Sequence, residues 1–187
     1  MTFPPDVDPL VDLRRLVPDA LLDVRYARRD NAFETAFYPQ DGAWLRRSAA
    51  LKVARAAEAL RKRGLRLIVY DAYRPLSIQR RMWEIRPDAR FVADPYHGSL
   101  HNRGAAIDAG LADESGRPLE MPSDFDDFSA RASHHSPFAT AEALRHAGWL
   151  REAMEKAGLE ALPEEWWHYF DPHLRDAPLI DLPFNEL

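Results

Sequence analysis

The stretch from Ala105 to Leu111 reads AAIDAGL, the small and aliphatic residues of a buried strand with one carboxylate in the middle. An Asp in such a run is costly to bury unless a charged partner or a metal meets it. Whatever fold the chain adopts must therefore bring a partner to Asp108. Two imidazoles stand in motifs that could supply one. His101 lies in SLHNRGAAID at 99–108, and His168 lies in EEWWHYF at 164–170.

The chain has no cysteine, so a structural zinc site of the Cys type is excluded and any zinc would be held by His and Asp or Glu. Three protein ligands with an open fourth position is the pattern of a catalytic site, and His101, Asp108 and His168 make the best trio. The aromatic run WWHYF suits a pleated, half-buried surface. Strand side chains alternate, so Glu165 and His168, three apart, face opposite ways unless the chain turns between them; a bend is expected at Glu165. YDAYRP at 70–75 adds an arginine, Arg74, beside the rigid Pro75. Taken singly, each residue has a plainer reading. A lone His in an aromatic strand is more often a hydrogen-bonded core residue, and a lone buried Asp a turn or ion-pair residue. Only the combination favours a metal.

The pattern along the chain gives an α+β order. Leu22, Val24 and Tyr26 alternate with Asp23 and Arg25, which predicts a strand. Ser48 is expected to cap a helix through Leu60, closed by Gly64, with Leu51, Ala54, Ala57 and Leu60 at helical spacing. Arg66 to Ala72 is the next strand and delivers Arg74 at its end. A short helix over Ile78 to Glu84 follows, then a loop rich in Pro, Asp and His from Arg86 to Ser99. Thr140 opens the last helix, in which Ala143, Ala147, Leu150, Met154 and Ala157 share a face before Gly158 stops it. That helix returns the chain to Glu165, so the two ligand motifs should meet as neighbouring strands. With 187 residues, 46% of them hydrophobic, the chain is long enough for one substantial core, and a single domain over 1–187 is expected.

The set SxHxxGxAxD, then ExWH, with YRP upstream, resembles the VanX-type D-alanyl-D-alanine dipeptidases, zinc enzymes that share a fold with bacterial DD-carboxypeptidases and the Hedgehog signalling domain. Also similar are DVRYARRDNAF at 23–33, the single Tyr38, LRRSAALKVARAAEAL, and MPSDFDDFSARASHH at 121–135. The resemblance implies a small antiparallel sheet flanked by helices and one zinc per chain on His101, Asp108 and His168. It implies Glu165 as general base and acid, and Arg74 as the group that stabilises the developing oxyanion. Ser99 and Asp126 match positions that contact substrate, and Tyr26 and Tyr38 match pocket-forming aromatics. Two departures stand out: Pro122 and Ser123 after Met121, and Ala109–Gly110 where the family carries a bulkier pair.

Several rivals remain open at this stage. Glu164 is four residues from His168 and competes with Glu165. Arg74 could be an ordinary strand-end ion pair with Asp71, leaving Arg103 as runner-up. Asp126 could be a turn or cap residue, and Ser99 could cap the turn before His101. His97, His134, His135, His146 and His173 read as surface or structural residues.

The resemblance points to hydrolysis of the dipeptide D-Ala-D-Ala, with Asp126 taking the free ammonium, Ser99 the free carboxylate, and closed ends excluding longer peptides. The alternatives are a zinc DD- or LD-carboxypeptidase or endopeptidase on larger cell-wall peptides, and a non-catalytic zinc-binding module of the Hedgehog kind. A net charge of -5 and the lack of a basic stripe argue against nucleic acid as a partner. No apolar run approaches the ~20 residues needed to cross a membrane. MTFPPDVDPLVDLRR does not read as a signal peptide, so a cytoplasmic location is expected. The sequence sets no oligomeric state.

Overall fold

The computed structural model describes residues 8–187; the N-terminal reading falls in part on residues 1–7, outside the described residues. In chain order the elements are β1 (Leu10–Asp12), β2 (Leu21–Leu22), β3 (Trp44–Arg46), α1 (Arg47–Arg61), β4 (Leu65–Asp71), α2 (Leu76–Ile85), β5 (Ala106–Asp113), α3 (Ala141–Lys156), β6 (Glu160–Ala161) and β7 (His168–Phe170). A five-stranded sheet has the order β2-β4-β5-β7-β6, and β1 pairs with β3 apart from it. The α+β architecture is as expected. The large sheet is antiparallel through β4, β5, β7 and β6, whereas β2 runs parallel to β4 at the edge.

Period-two alternation along β5 puts Ile107, Ala109 and Leu111 on one face and Asp108 on the other. All four are buried. Helices α1 and α3 pack against each other, α1 also against β4 and α3 against β5. The last helix follows its sequence signals. Thr140 Oγ1 accepts from the Ala143 amide at 3.0 Å, capping α3, and Ala143, Ala147, Leu150, Met154 and Ala157 are all buried.

Three local expectations are corrected. Ser48 lies inside α1, and its amide and hydroxyl donate to Asp8 at 2.8 and 2.7 Å. A distant carboxylate thus does the capping, because β3 runs straight into the helix without a break for Ser48 to fill. The buried face of α1 is Ala49, Ala50, Val53, Ala56, Ala57 and Leu60, leaving Leu51 exposed. The strand expected over Leu22 to Tyr26 stops at Leu22 and is followed by a 3-10 turn, Arg25–Ala27. There the Tyr26 carbonyl accepts from the Phe37 and Tyr38 amides at 2.7 and 3.0 Å, which turns the chain inward.

In β4 the register slips between Val69 and Asp71, leaving Tyr70 in a bulge. Its ring lies against Gly110, where a Cβ would sit 2.4 Å from the Tyr70 hydroxyl oxygen. The same ring stacks on Phe125 at 5.0 Å between centroids. The small pair Ala109–Gly110 therefore makes room for a tyrosine.

Candidate metal centre

Backbone pairing sets the positions of the three candidate ligands. Asp108 of β5 and His168 of β7 are direct partners in the antiparallel ladder, so the two ligand motifs do meet as neighbouring strands. His101 sits on a 3-10 turn, His101–Arg103, that ends at Gly104 with φ 64, a conformation natural to glycine. That turn is fastened to the end of β4. The Arg74 amide donates to the His101 carbonyl at 3.1 Å, and the buried Asn102 Nδ2 donates to the Arg74 carbonyl at 2.9 Å.

His101 Nε2, His168 Nδ1 and Asp108 Oδ1 form a triangle with edges of 3.2, 2.9 and 3.4 Å. Ligand atoms about 2.0–2.1 Å from a tetrahedral zinc lie roughly 3.3 Å apart, so the triangle matches one face of such a site. The protonation pattern fits as well. His101 Nδ1 lies 2.6 Å from the Ala72 carbonyl oxygen, a contact that requires a proton on Nδ1 and leaves Nε2 as a bare lone pair. With both rings neutral, two imidazole nitrogens and a carboxylate oxygen converge on one point, which is the donor set of a divalent cation. Among the described residues, these three form the one group of His and acidic side chains close enough to hold a metal.

The charges are tightly linked. Against the cost of burial, His101 and His168 hold the Asp108 carboxyl well below the usual carboxylate range. Burial works against a charged His101, yet Asp108 and Asp71 together push its pKa up.

Glu165 lies between two turns, as the expected bend requires. Its amide donates to the Leu162 carbonyl, and its carbonyl accepts from the His168 amide at 3.2 Å. Its Oε2 comes within 3.9 Å of His168 Nδ1, and burial raises its pKa. Glu164 is exposed. Of the two acids, it is Glu165 that faces the centre.

Arg74 is buried, and its ion-pair reading is borne out. Nε and Nη2 donate to Asp71 Oδ2 at 3.1 and 2.7 Å, so it is an ion pair, and it also lines the cavity in front of His101. Burial opposes its charge, but Asp71 together with Tyr38 and Tyr26 outweighs it and holds the pKa above the ordinary arginine value. Its remaining Nη1 donates to Gln79 Oε1 at 2.8 Å. Arg103 faces elsewhere, donating to the backbone carbonyls of Ala177 and His97.

The cavity holds about 380 Å³, near the lower end for small-molecule sites. Tyr26, Ser99 and Asp126 line it together with the three candidate ligands, Glu165 and Arg74. Asp126 opens partly onto the cavity and is otherwise walled in. Burial, partly offset by the Tyr26 hydroxyl that donates to it at 2.9 Å, pushes its pKa up to about 7. It adopts φ 62, rare for a residue with a side chain. The Ser99 hydroxyl accepts from the His101 amide at 3.2 Å, so it caps the turn as well as facing the cavity. Tyr38 does not reach the cavity wall. It lies behind Arg74, its hydroxyl donating to Asp71 at 2.7 Å.

His134 and His146 are buried. His146 Nδ1 pairs with the Glu120 carbonyl at 2.8 Å, and burial depresses the pKa of His134 to about 4. Sequence reasoning missed Gln79, Phe91, Phe128 and Trp167. Phe91, Phe128 and Trp167 line the cavity, and Gln79 is fully buried behind it. Phe128 and Trp167 stand inside quoted motifs without a role of their own, and no motif marked Gln79 or Phe91.

Comparison with known proteins identifies the family. Residues 6–185 match the Peptidase M15 family, described as D-Ala-D-Ala dipeptidase. The chain is 35% identical over 180 residues to a D-alanyl-D-alanine dipeptidase of Escherichia coli (strain K12), covering 96% of this chain and 93% of that protein. It is 28% identical to a D-alanyl-D-alanine dipeptidase of Enterococcus faecium, covering 92% and 95%. Among solved structures, the LdcB LD-carboxypeptidase superposes with a TM-score of 0.50 at 17% identity, covering 96% of this chain and 78% of that one; this likeness is one of fold.

Proposed function

The chain belongs to the peptidase M15 family of D-Ala-D-Ala dipeptidases, and from that premise we propose that it hydrolyses D-Ala-D-Ala to two molecules of D-alanine, with one zinc per chain held by His101, Asp108 and His168. The observation that carries the reading is the triangle of donor atoms opening onto the same small cavity as Glu165 and Arg74.

When bound, zinc would supply a Lewis acid that polarises the scissile carbonyl and makes a water molecule acidic at neutral pH. Glu165 takes a proton from the attacking water and passes it to the leaving amine as the C–N bond breaks and the new C–O bond forms. Its raised pKa suits a group that must both accept and donate. Arg74 meets the oxyanion that develops on the carbonyl oxygen, a contribution worth about 3–4 kcal/mol when one such donor is removed. The buried Asp71 and Gln79 hold three of its nitrogens in place, so the guanidinium is oriented before substrate arrives. Asp126 pairs with the substrate ammonium, and Ser99 with the terminal carboxylate.

N-acetylation of the substrate tests the reading. Acetyl-D-Ala-D-Ala has no ammonium and would leave Asp126 buried against an amide, a penalty of about 3–5 kcal/mol when one partner of a buried pair is lost. Since about 1.36 kcal/mol corresponds to tenfold, kcat/KM is expected to fall by roughly two orders of magnitude or more. An open-ended carboxypeptidase would tolerate the acetyl group. Equal rates on the two substrates would therefore overturn the dipeptidase assignment.

A further inference from the structure

Two segments without β-strand contribute to the wall of the cavity. One follows α2 from Arg86 to Ser99 and contributes Phe91, Val92 and Ala93 to the lining; the other runs from Met121 to Ser136 and contributes Asp126 and Phe128. Each is anchored to its own side of the molecule. Gln79 Nε2 donates to the Ala93 carbonyl at 2.8 Å, holding the first segment to the residue that also grips Arg74. The second is held by the Trp166 amide on the Ala132 carbonyl at 2.8 Å and by Tyr26 on Asp126.

Between the two segments the contact is made by side chains of a different kind. The Phe91 and Phe128 rings lie 4.9 Å apart, tilted by 45°. The Arg86 guanidinium covers both, 4.4 Å from the Phe91 centroid and 4.8 Å from that of Phe128. Among the described residues no hydrogen bond or ion pair joins the segments. The two walls therefore meet through ring and cation–π packing, while each keeps its own hydrogen-bonded anchors.

We infer that Phe91, Phe128 and Arg86 form a size gate that closes the cavity beside Asp126 and limits the substrate to two residues. The inference rests on the dipeptidase reading and names the residues that enforce its length limit. Phe128 stands two residues beyond Asp126, and both line the cavity. A peptide extended past the ammonium position needs about 3.3–3.6 Å for each added residue, and in this proposal the paired rings, which line the same cavity as Asp126, stand in its way.

The test compares D-Ala-D-Ala with the tripeptide L-Ala-D-Ala-D-Ala in the zinc-loaded wild type and in Phe91→Ala, Phe128→Ala and the double variant. Each single variant should raise the tripeptide-to-dipeptide ratio of kcat/KM by about tenfold or more, the scale on which apolar bulk in a pocket discriminates substrates. The double variant should add little, because both changes remove one contact. An unchanged ratio overturns the gate. Phe91→Leu keeps bulk without the ring and guards against loss of fold; it should give an intermediate ratio. Amide hydrogen exchange supplies a readout independent of turnover. Phe128→Ala should speed exchange in 86–99 and 121–136 together while β5 stays protected, and acceleration confined to the mutated segment would also overturn the gate. A wild type inactive on the dipeptide would instead sink the functional reading, leaving exchange to judge the contact.

Discussion

The strands beneath the cavity and the segments above it are built on different principles. Below, Asp108 and His168 are fixed by ladder register, and His101 is fastened by backbone hydrogen bonds to the end of β4, so donor atoms converge within 2.9–3.4 Å. Above, residues 86–99 and 121–136 carry no strand among the described residues, and they meet through rings and a guanidinium. The proposed chemistry would sit on the sheet, while the proposed length limit would sit on segments that meet by side-chain packing. The two properties should be separable by mutation.

The largest effect should come from breaking the lower side. His168→Ala removes one corner of the donor triangle; zinc after dialysis should drop from one per chain to near zero by elemental analysis, and turnover should fall by about a thousandfold or more, since several kcal/mol of charge stabilisation go with the metal. Tight zinc retained at full stoichiometry would mean that the ligands are others. Next in size is Glu165→Gln, which should keep zinc and fold yet lower kcat by roughly 10²–10⁴, the usual weight of a positioned acid–base group. Glu164→Gln, on an exposed neighbour, should stay within about twofold. If the two came out reversed, the bend at Glu165 would not be serving the base.

The smallest effect probes the link between the two regions. Gln79→Met keeps volume but leaves Arg74 Nη1 and the Ala93 carbonyl without their partner. Unpaired buried groups cost about 1–3 kcal/mol, and in a chain of this size each kcal/mol lowers Tm by about 2–4 °C. Thermal melts should show that loss, and steady-state kinetics should show kcat reduced by about tenfold with KM little changed, as the proposed role of Arg74 on the developing oxyanion requires. A fall in stability with kcat intact would make Gln79 purely architectural.

What the sequence revealed follows from the range of the forces involved. Asp108 in an apolar run, the three-residue spacing from Glu165 to His168, and Thr140 ahead of a periodic segment are local conflicts or local signals, and the fold gives Asp108 two imidazole neighbours, a turn at Glu165 and a helix cap at Thr140. Ser48 looked like a cap because nothing nearby shows that Asp8 would take that role. Tyr38 matched a pocket aromatic, yet the buried charge of Asp71 claims its hydroxyl. Gln79 carries no mark at all: one amide in a helix acquires meaning only when Arg74 and Ala93 arrive on either side. Phe91 and Phe128 come from segments without periodicity, and their pairing exists only in the fold.

The bulge at Tyr70 and the bare backbone of Gly110 have a consequence for inheritance. The ring fills the space a side chain at 110 would need, and it props Phe125, the residue before Asp126. A relative with a larger residue at 110 must carry a smaller or differently turned one at 70, so the two positions should vary as a pair. Grafting either one alone into a related sequence would transmit a clash through Phe125 to the wall that bears Asp126.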